Sequence, residues 1–298
     1  MSEQEALGFV GIGMMGWPMA AALARRGFDV VAYDTQRERL AQLETEIGCK
    51  GAGSMSDFSH CRTVITMLPD SRAVEAVLFG SDGLSSVLKP GALVIDMTSG
   101  VPAVTKRLAE QLAAKQISMI DAPVSGGVAR ARTAELAIMV GGEASLIERA
   151  TPVLEAMGNV IAAGSIGSGQ AIKALNNLVS AGGFLIGVEA LLMGKAFGLS
   201  SEVMVDILNA STGMNNSTQK KFKQFVLSGA YNSGFALNLM VKDLSIALDI
   251  GKDAKVATPF AALCREMWAA SQAMLEPGAD HTALAKVSEK LAGVTLAE

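Results

Sequence analysis

The rhythm of apolar positions divides the chain into two kinds of text. Through the first half, short runs rich in β-branched and apolar residues recur at 7–11, 29–33, 63–67, 92–97, 118–122 and 137–140, each of strand length. Between them, stretches such as 17–26, 37–46 and 101–115 space their apolar residues as helices do. This alternation predicts a parallel sheet wrapped by helices on both faces, a doubly wound α/β domain. From about residue 164 the β-branched runs stop. Long helical segments follow, at 169–197, 201–209, 219–227, 239–254 and 259–273, so the second domain is expected to be all-α. The Gly- and Ser-rich segment 163–169 marks the join, giving domains 1–163 and 164–298.

Composition narrows the class of protein. Half of the 298 residues are apolar and 18% are charged, an ordinary globular balance with room for two domains. The net charge is -4 and no basic run exceeds Lys220-Lys221, so there is no electrostatic footprint for nucleic acid or an anionic membrane, and small molecules are the expected partners. Cys49, Cys61 and Cys264 lack CxxC spacing, which suggests neither a zinc site nor a disulfide framework and fits a reducing cytoplasm. Residues 1–6 are polar and acidic, unlike a signal peptide. The most apolar stretch, 178–188, is interrupted by Ser180, Gly182 and Gly183. It falls short of the roughly 20 residues that span a bilayer, and reads as a buried helix.

Gly11-Ile12-Gly13-Met14-Met15-Gly16 follows the first strand and opens a helix, the context in which GxGxxG acts as a dinucleotide fingerprint. The glycines permit a tight turn and close backbone approach to a pyrophosphate, and free N–H groups with the helix dipole favour the anion. Asp34, at the end of the second strand, stands about 20 residues beyond, where a carboxylate can bond a ribose 2′-hydroxyl. That favours NAD, while Arg37 and Arg39 leave NADP as the less favoured cofactor. The strand ends Met67-Leu68-Pro69 and Asp96-Met97-Thr98-Ser99 point to the same crevice and are expected beside the nicotinamide ribose; Asp70, Thr98 and Ser99 would equally serve as helix caps. Together these features predict a Rossmann domain.

Two further segments carry chemistry. Asp121-Ala122-Pro123-Val124-Ser125-Gly126-Gly127 ends a strand with a hydroxyl and two glycines, which can gather N–H groups around a small anion or simply form a tight turn. In Gly169-Gln170-Ala171-Ile172-Lys173-Ala174-Leu175-Asn176-Asn177, a four-residue step sets Lys173 and Asn177 on one helix face, able to hold a substrate hydroxyl; alone, a solvated helix lysine would be the plainer reading.

The opening GFVGIGMMGWPMA, the DAPVSGG segment followed by Met139–Gly142, GQAIKALNN and Lys242-Asp243-Leu244 together resemble the β-hydroxyacid dehydrogenase family, in the family's order and over nearly the whole chain. That family includes 3-hydroxyisobutyrate dehydrogenases and tartronate semialdehyde reductases. The resemblance implies a Rossmann domain joined by a long helix to an all-α domain that a partner subunit helps bury, as a homodimer or homotetramer. It implies Lys173 as the catalytic lysine, Asn177 as a holder of substrate, Ser125, Gly126 and Gly127 as the substrate carboxylate site, and Lys242 as the lysine that closes over cofactor and substrate. Gly11, Gly13, Met14, Met15, Gly16, Asp34, Leu68, Pro69 and Thr98 complete the expected cofactor contacts.

A free lysine, with a pKa of about 10.4, is a poor base at neutral pH until burial or a neighbouring cation such as Lys242 lowers that value. A neutral Lys173 could take the alcohol proton as hydride leaves, and return it in reduction. His60 and His281 lie outside all the motifs and no metal-ligand cluster is visible, so lysine is the remaining acid/base candidate and no metal is expected. The expected activity is hydride transfer between NAD and the primary alcohol or semialdehyde of a small β-hydroxy acid. The alternatives are an NADP-dependent glyoxylate or succinic semialdehyde reductase of the same family, and a non-catalytic NAD sensor. Segment 211–218, rich in hydroxyls and amides, falls where the family reaches the substrate tail; it suits a polar tail, or is an interhelical loop with caps. Lys220, Lys221 and Lys223 read as a solvated helix face. The apolar linking helix, with Phe184, Leu185, Leu191 and Leu192, asks for burial beyond one small domain.

Overall fold

The computed structural model describes residues 6–297. Most of the acidic N-terminal stretch, residues 1–5, lies outside them. The chain forms two compact units, one ending at Lys173 and the other beginning at Ala174.

The first unit runs β1 (Leu7–Val10), α1 (Gly16–Arg25), β2 (Val30–Tyr33), α2 (Arg37–Ile47), β3 (Lys50–Gly51), β4 (Thr63–Thr66), α3 (Ser71–Phe79), α4 (Leu84–Val87), β5 (Leu93–Asp96), α5 (Pro102–Ala113), β6 (Ser118–Asp121), β7 (Val124–Ser125), α6 (Gly127–Thr133), β8 (Leu136–Gly141), α7 (Ala144–Leu154) and β9 (Gly158–Gly164). Six parallel strands lie in the order β3-β2-β1-β4-β5-β6, the doubly wound arrangement. Their residues alternate between two cores: Phe9, Ile65 and Ile95 pack on one face, Val10, Val64 and Val94 on the other. Burial on both faces is why these strands read as continuous apolar runs.

The expected all-parallel sheet is corrected at its far edge. Asp121 pairs with Gly141, Val124 with Ile138 and Ser125 with Ala137, all antiparallel and in one register, so β6 and β7 form one strand interrupted at Ala122-Pro123. β9 then pairs parallel with β8. Hydrophobic alternation carries no strand direction, so the reversal was not readable from the sequence.

A single 30-residue helix, α8 (Ser168–Phe197), leaves the first unit and continues as the first helix of the second. Around its second part gather α9 (Ser201–Asn209), α10 (Asn216–Lys220), α11 (Leu237–Asp253), α12 (Pro259–Met274) and α13 (Leu284–Ala292). Phe184, Phe222, Trp268, Leu191 and Leu244 form their core. The stretch expected as one helix at 219–227 is instead α10 followed by a π-helical turn, Phe222–Leu227. Among the described residues α8 alone is long and apolar enough to cross a bilayer, and half of its most apolar window is buried, as in a core helix.

Candidate active site

The glycine-rich turn between β1 and α1 shows what each glycine is for. Gly11 holds φ at +100°, and a Cβ there would strike the Met67 carbonyl; a Cβ on Gly16 would strike the Gly11 carbonyl. These two are required by the turn and by the seating of α1. Gly13 differs: a Cβ there would meet only the Arg39 guanidinium, at 3.8 Å. The protein leaves that space open, as a backbone approached by a pyrophosphate requires. Met14 is exposed beside it, and Met15 is half-buried. The hollow outside this turn, about 420 Å³, is lined by Ile12, Gly13, Met14, Trp17, Arg39 and Arg132, among others.

Asp34 sits at the carboxyl end of β2 with both oxygens committed to main chain. Oδ2 accepts from the Ile12 N–H at 2.7 Å and Oδ1 from Gln36 at 2.8 Å. Each oxygen has a second lone pair, so the carboxylate that braces the turn keeps further acceptor capacity. Arg37 is spent elsewhere, on the carbonyls of Ala52 (2.9 Å) and Gly53 (2.6 Å). Arg39 reaches the Ile12 carbonyl at 3.3 Å.

Leu68, Pro69 and Thr98 come together at the ends of β4 and β5. The Leu68 N–H donates to Thr98 Oγ1 at 3.0 Å, and the Thr98 N–H donates to the buried Asp96 carboxylate at 3.1 Å, which also accepts from Thr66. Burial pushes the Asp96 carboxyl up to about 6 against these hydrogen bonds. Thr98 is thus a strut between two strand ends, while Asp70 is the actual cap of α3, accepting from Arg72 and Ala73.

Ser125, Gly126 and Gly127 follow as the end of β7 and the start of α6, with both glycines at positive φ (+131° and +67°). α6 packs on α1, so this turn and the glycine-rich turn share one edge of the unit.

Lys173 is buried, 8% exposed, one turn into α8. The start of that helix is clamped by two residues to which the sequence assigned no role. Asp121, fully buried, accepts from the Gly167 N–H at 2.6 Å through Oδ1 and from the Gln170 N–H at 2.7 Å through Oδ2. Burial pushes its carboxyl up to about 6, opposed by those N–H donors. Gln170 then reaches the β5 end, giving its Nε2 to the Thr98 carbonyl and accepting from the Gly100 N–H, both at 2.7 Å. Gly141 and Gly169 make this possible, since a Cβ on either would lie 2.5 Å and 2.8 Å from the Asp121 oxygens. Three motif segments therefore converge on one carboxylate just before Lys173.

In the second unit Asn177 is also buried, 7% exposed, and donates its Nδ2 to Asp243 Oδ2 at 2.6 Å. Lys242 Nζ lies 3.7 Å from the other oxygen of Asp243. Asp243 thus fixes the amide of Asn177 and neighbours Lys242; the sequence showed it only as the middle of Lys242-Asp243-Leu244. Within segment 211–218, Asn215 caps α10: its Oδ1 accepts from the Ser217 and Thr218 N–H groups, and its own N–H donates to Thr218 Oγ1. Lys221 corrects the solvated-face reading, as it is half-buried and reaches inward to Ser180 Oγ at 3.3 Å, whereas Lys220 is exposed and Lys223 pairs with Asp206.

A dinucleotide-binding unit followed by a helical unit, with an open second glycine and a buried lysine after a clamped helix start, defines a nicotinamide-dependent dehydrogenase scaffold. Comparisons agree. A family model described as the NAD binding domain of 6-phosphogluconate dehydrogenase matches residues 6–167, and one described as NAD-binding of NADP-dependent 3-hydroxyisobutyrate dehydrogenase matches residues 167–288. The chain is 34% identical to 2-(hydroxymethyl)glutarate dehydrogenase of Eubacterium barkeri, over 99% of each chain. It is 38% identical to 3-hydroxyisobutyrate dehydrogenase of Pseudomonas aeruginosa, over 88% of this chain and 90% of that one. Among solved structures, Mycobacterium tuberculosis 3-hydroxyisobutyrate dehydrogenase with L-serine superposes with a TM-score of 0.87 at 28% identity, over 96% of this chain and 99% of that one. The chain belongs to the β-hydroxyacid dehydrogenase family and is an NAD(P)-binding oxidoreductase acting on CH–OH groups.

Proposed function

We propose that the protein oxidises the primary alcohol of a small β-hydroxy acid, or reduces the matching semialdehyde, with Lys173 as acid/base and NAD as hydride acceptor or donor. The observation that carries this reading is the buried amine of Lys173, set one turn beyond a helix start clamped by Asp121 and Gln170. Burial disfavours charge on an amine, and a neutral amine can take the alcohol proton as the C–H electron pair departs. Asn177, its amide oriented by Asp243, holds the reacting oxygen; Ser125, Gly126 and Gly127 hold the substrate carboxylate through hydroxyl and N–H donors. When bound, the nicotinamide supplies hydride chemistry. Gly11, Gly13, Met14, Met15, Gly16, Leu68, Pro69, Thr98 and Lys242 contribute to its seat.

NAD is favoured over NADP because Asp34 presents a carboxylate where a 2′-phosphate would sit, and Arg37 is engaged by two carbonyls. The substrate class follows the relatives, whose names give 2-(hydroxymethyl)glutarate, 3-sulfolactaldehyde, 3-hydroxyisobutyrate and L-threonate. The working unit is a dimer or higher assembly. Ile172, Val179, Ile186 and Met193 repeat every seven residues along α8, all exposed, and Phe197 ends the stripe at 84% exposure. A second copy burying this seam fits the heptad spacing.

The test is NAD and NADP reduction over those hydroxy acids, beside Lys173→Ala. NAD-linked turnover that falls by at least about 10³-fold in the variant is expected for loss of an acid/base group. Turnover surviving in Lys173→Ala refutes the assignment.

A further inference from the structure

Lys173, Asn177, Ser180 and Phe184 follow one another at steps of four, three and four, one stripe of α8. Beyond Asn177 the stripe meets Lys221, whose Nζ donates to Ser180 Oγ at 3.3 Å and lies 5.9 Å from the centre of the Phe184 ring. This lysine is held in place by the residue after it. Phe222 is fully buried, its ring against Gly187, where a Cβ would lie 2.5 Å from it, and 5.4 Å from the Phe184 ring. The chain breaks from α10 at Lys221 (φ -129°, ψ -44°) and enters the π-helical turn, an irregularity often found at functional sites. A cation is therefore fixed beside the helix about 4.5 Å further along its axis than Asn177, by a rise of 1.5 Å per residue.

We propose that Lys221 and Ser180 form an anion subsite for the far end of the substrate, so that the preferred substrate is a β-hydroxy acid bearing a second carboxylate. This rests on the reading of Lys173 and Asn177 given above. A substrate whose reacting carbon is held at those residues and whose tail runs toward the C-terminal end of α8 brings its second carboxylate to the ammonium and hydroxyl. Phe184, fully buried beneath them, packs in the core and fixes the floor against which the Lys221 ammonium is held. A preorganised, partly desolvated ammonium binds a carboxylate more strongly than a surface lysine does.

The experiment compares 2-(hydroxymethyl)glutarate with 2-(hydroxymethyl)pentanoate, which keeps the carbon skeleton and replaces the far carboxylate with a methyl group. The wild type should prefer the dicarboxylate by at least about tenfold in kcat/KM, as one charged hydrogen bond allows. Lys221→Met should lower that ratio to within about threefold, through KM for the dicarboxylate alone, and Lys221→Arg should keep it. A wild type without the preference, or a Lys221→Met variant that loses both substrates equally, overturns the proposal; the second outcome would mark Lys221 as a packing residue. Should Lys221→Met melt early, Lys221→Gln with the same two substrates decides. Calorimetric affinities of the two acids for the NADH-loaded Lys173→Ala variant, with and without Lys221→Met, test the subsite even if the acid/base reading fails.

Discussion

Replacing Asp121 with asparagine tests whether the clamp on α8 matters to chemistry more than to folding. The carboxylate now accepts two main-chain N–H groups, from Gly167 and Gln170. An asparagine keeps one acceptor and turns an NH₂ toward the other N–H. Losing a hydrogen bond to a charged group costs about 1.5–3 kcal/mol, and a stranded buried N–H about 1–3 kcal/mol more. Against this, the variant is spared an ionised carboxylate in a site that pushes its carboxyl up to about 6. Two pKa units correspond to about 3 kcal/mol at neutral pH. The net loss is then roughly 0–3 kcal/mol, a fall in Tm of a few degrees. Lys173 begins three residues after Gln170, and a displacement of about 1 Å can cost up to about 10²-fold in rate. Steady-state kinetics beside thermal melts should therefore show kcat down by about 10- to 100-fold in a protein that still folds. The pH dependence gives a second reading. A carboxyl that holds its proton to about 6 when folded, and to about 3.9 when unfolded, adds stability at low pH that fades as pH rises through 6. The variant lacks that contribution, so its Tm deficit should be larger at pH 4 than at pH 7. A kcat within twofold of wild type would refute the positioning argument.

Gly13→Ala should leave Tm within about 1 °C, since its Cβ meets nothing closer than 3.8 Å, yet weaken NADH binding at least about tenfold by fluorescence titration; Gly16→Ala should instead unfold the turn. In the helical unit, burial lowers the His281 pKa, with Lys221 adding to the effect and Asp280 opposing it. A histidine disfavoured as a cation in the fold loses stability as pH falls below its unfolded value of about 6.5, at up to about 1.4 kcal/mol per pH unit. Melts between pH 7 and 5 should show that decline; a flat profile would mean that folding leaves the His281 pKa unchanged, and a rise in stability that His281 is favoured as a cation in the fold. Ile186→Asp, in the middle of the exposed α8 stripe, should shift the protein toward monomer in analytical ultracentrifugation, and an unchanged assembly would move the interface elsewhere.

The parts of the molecule that were legible in the sequence are those whose signal is local. The strands β1, β2, β4, β5 and β6 are apolar runs because they are buried on both faces, and the glycine spacing reports the turn it builds. Helices α3, α7 and α13 are not among the segments legible in the sequence, α7 because Pro152 sits inside it. β9 was hidden by its composition, Gly-Asn-Val-Ile-Ala-Ala-Gly, and by mixed exposure along its length. What no local pattern could supply was long-range pairing. Asp121 meets donors 46 and 49 residues away, and Gln170 meets partners 70 and 72 residues away. Likewise Lys220, Lys221 and Lys223 are alike on paper, and the burial of Phe222 singles out Lys221.

Asp34 has a consequence for anyone wishing to exchange the cofactor. Its carboxylate is the acceptor on which Ile12 and Gln36 rest, so the residue expected to discriminate between cofactors is also a structural member of the turn that holds them. A neutral or basic replacement would remove the negative charge and, in the same stroke, leave two main-chain donors to find new acceptors. Altered coenzyme preference in this chain is thus reachable only by compound changes that rebuild the brace as they retune the charge, and single substitutions at this position should be rare among its functional variants.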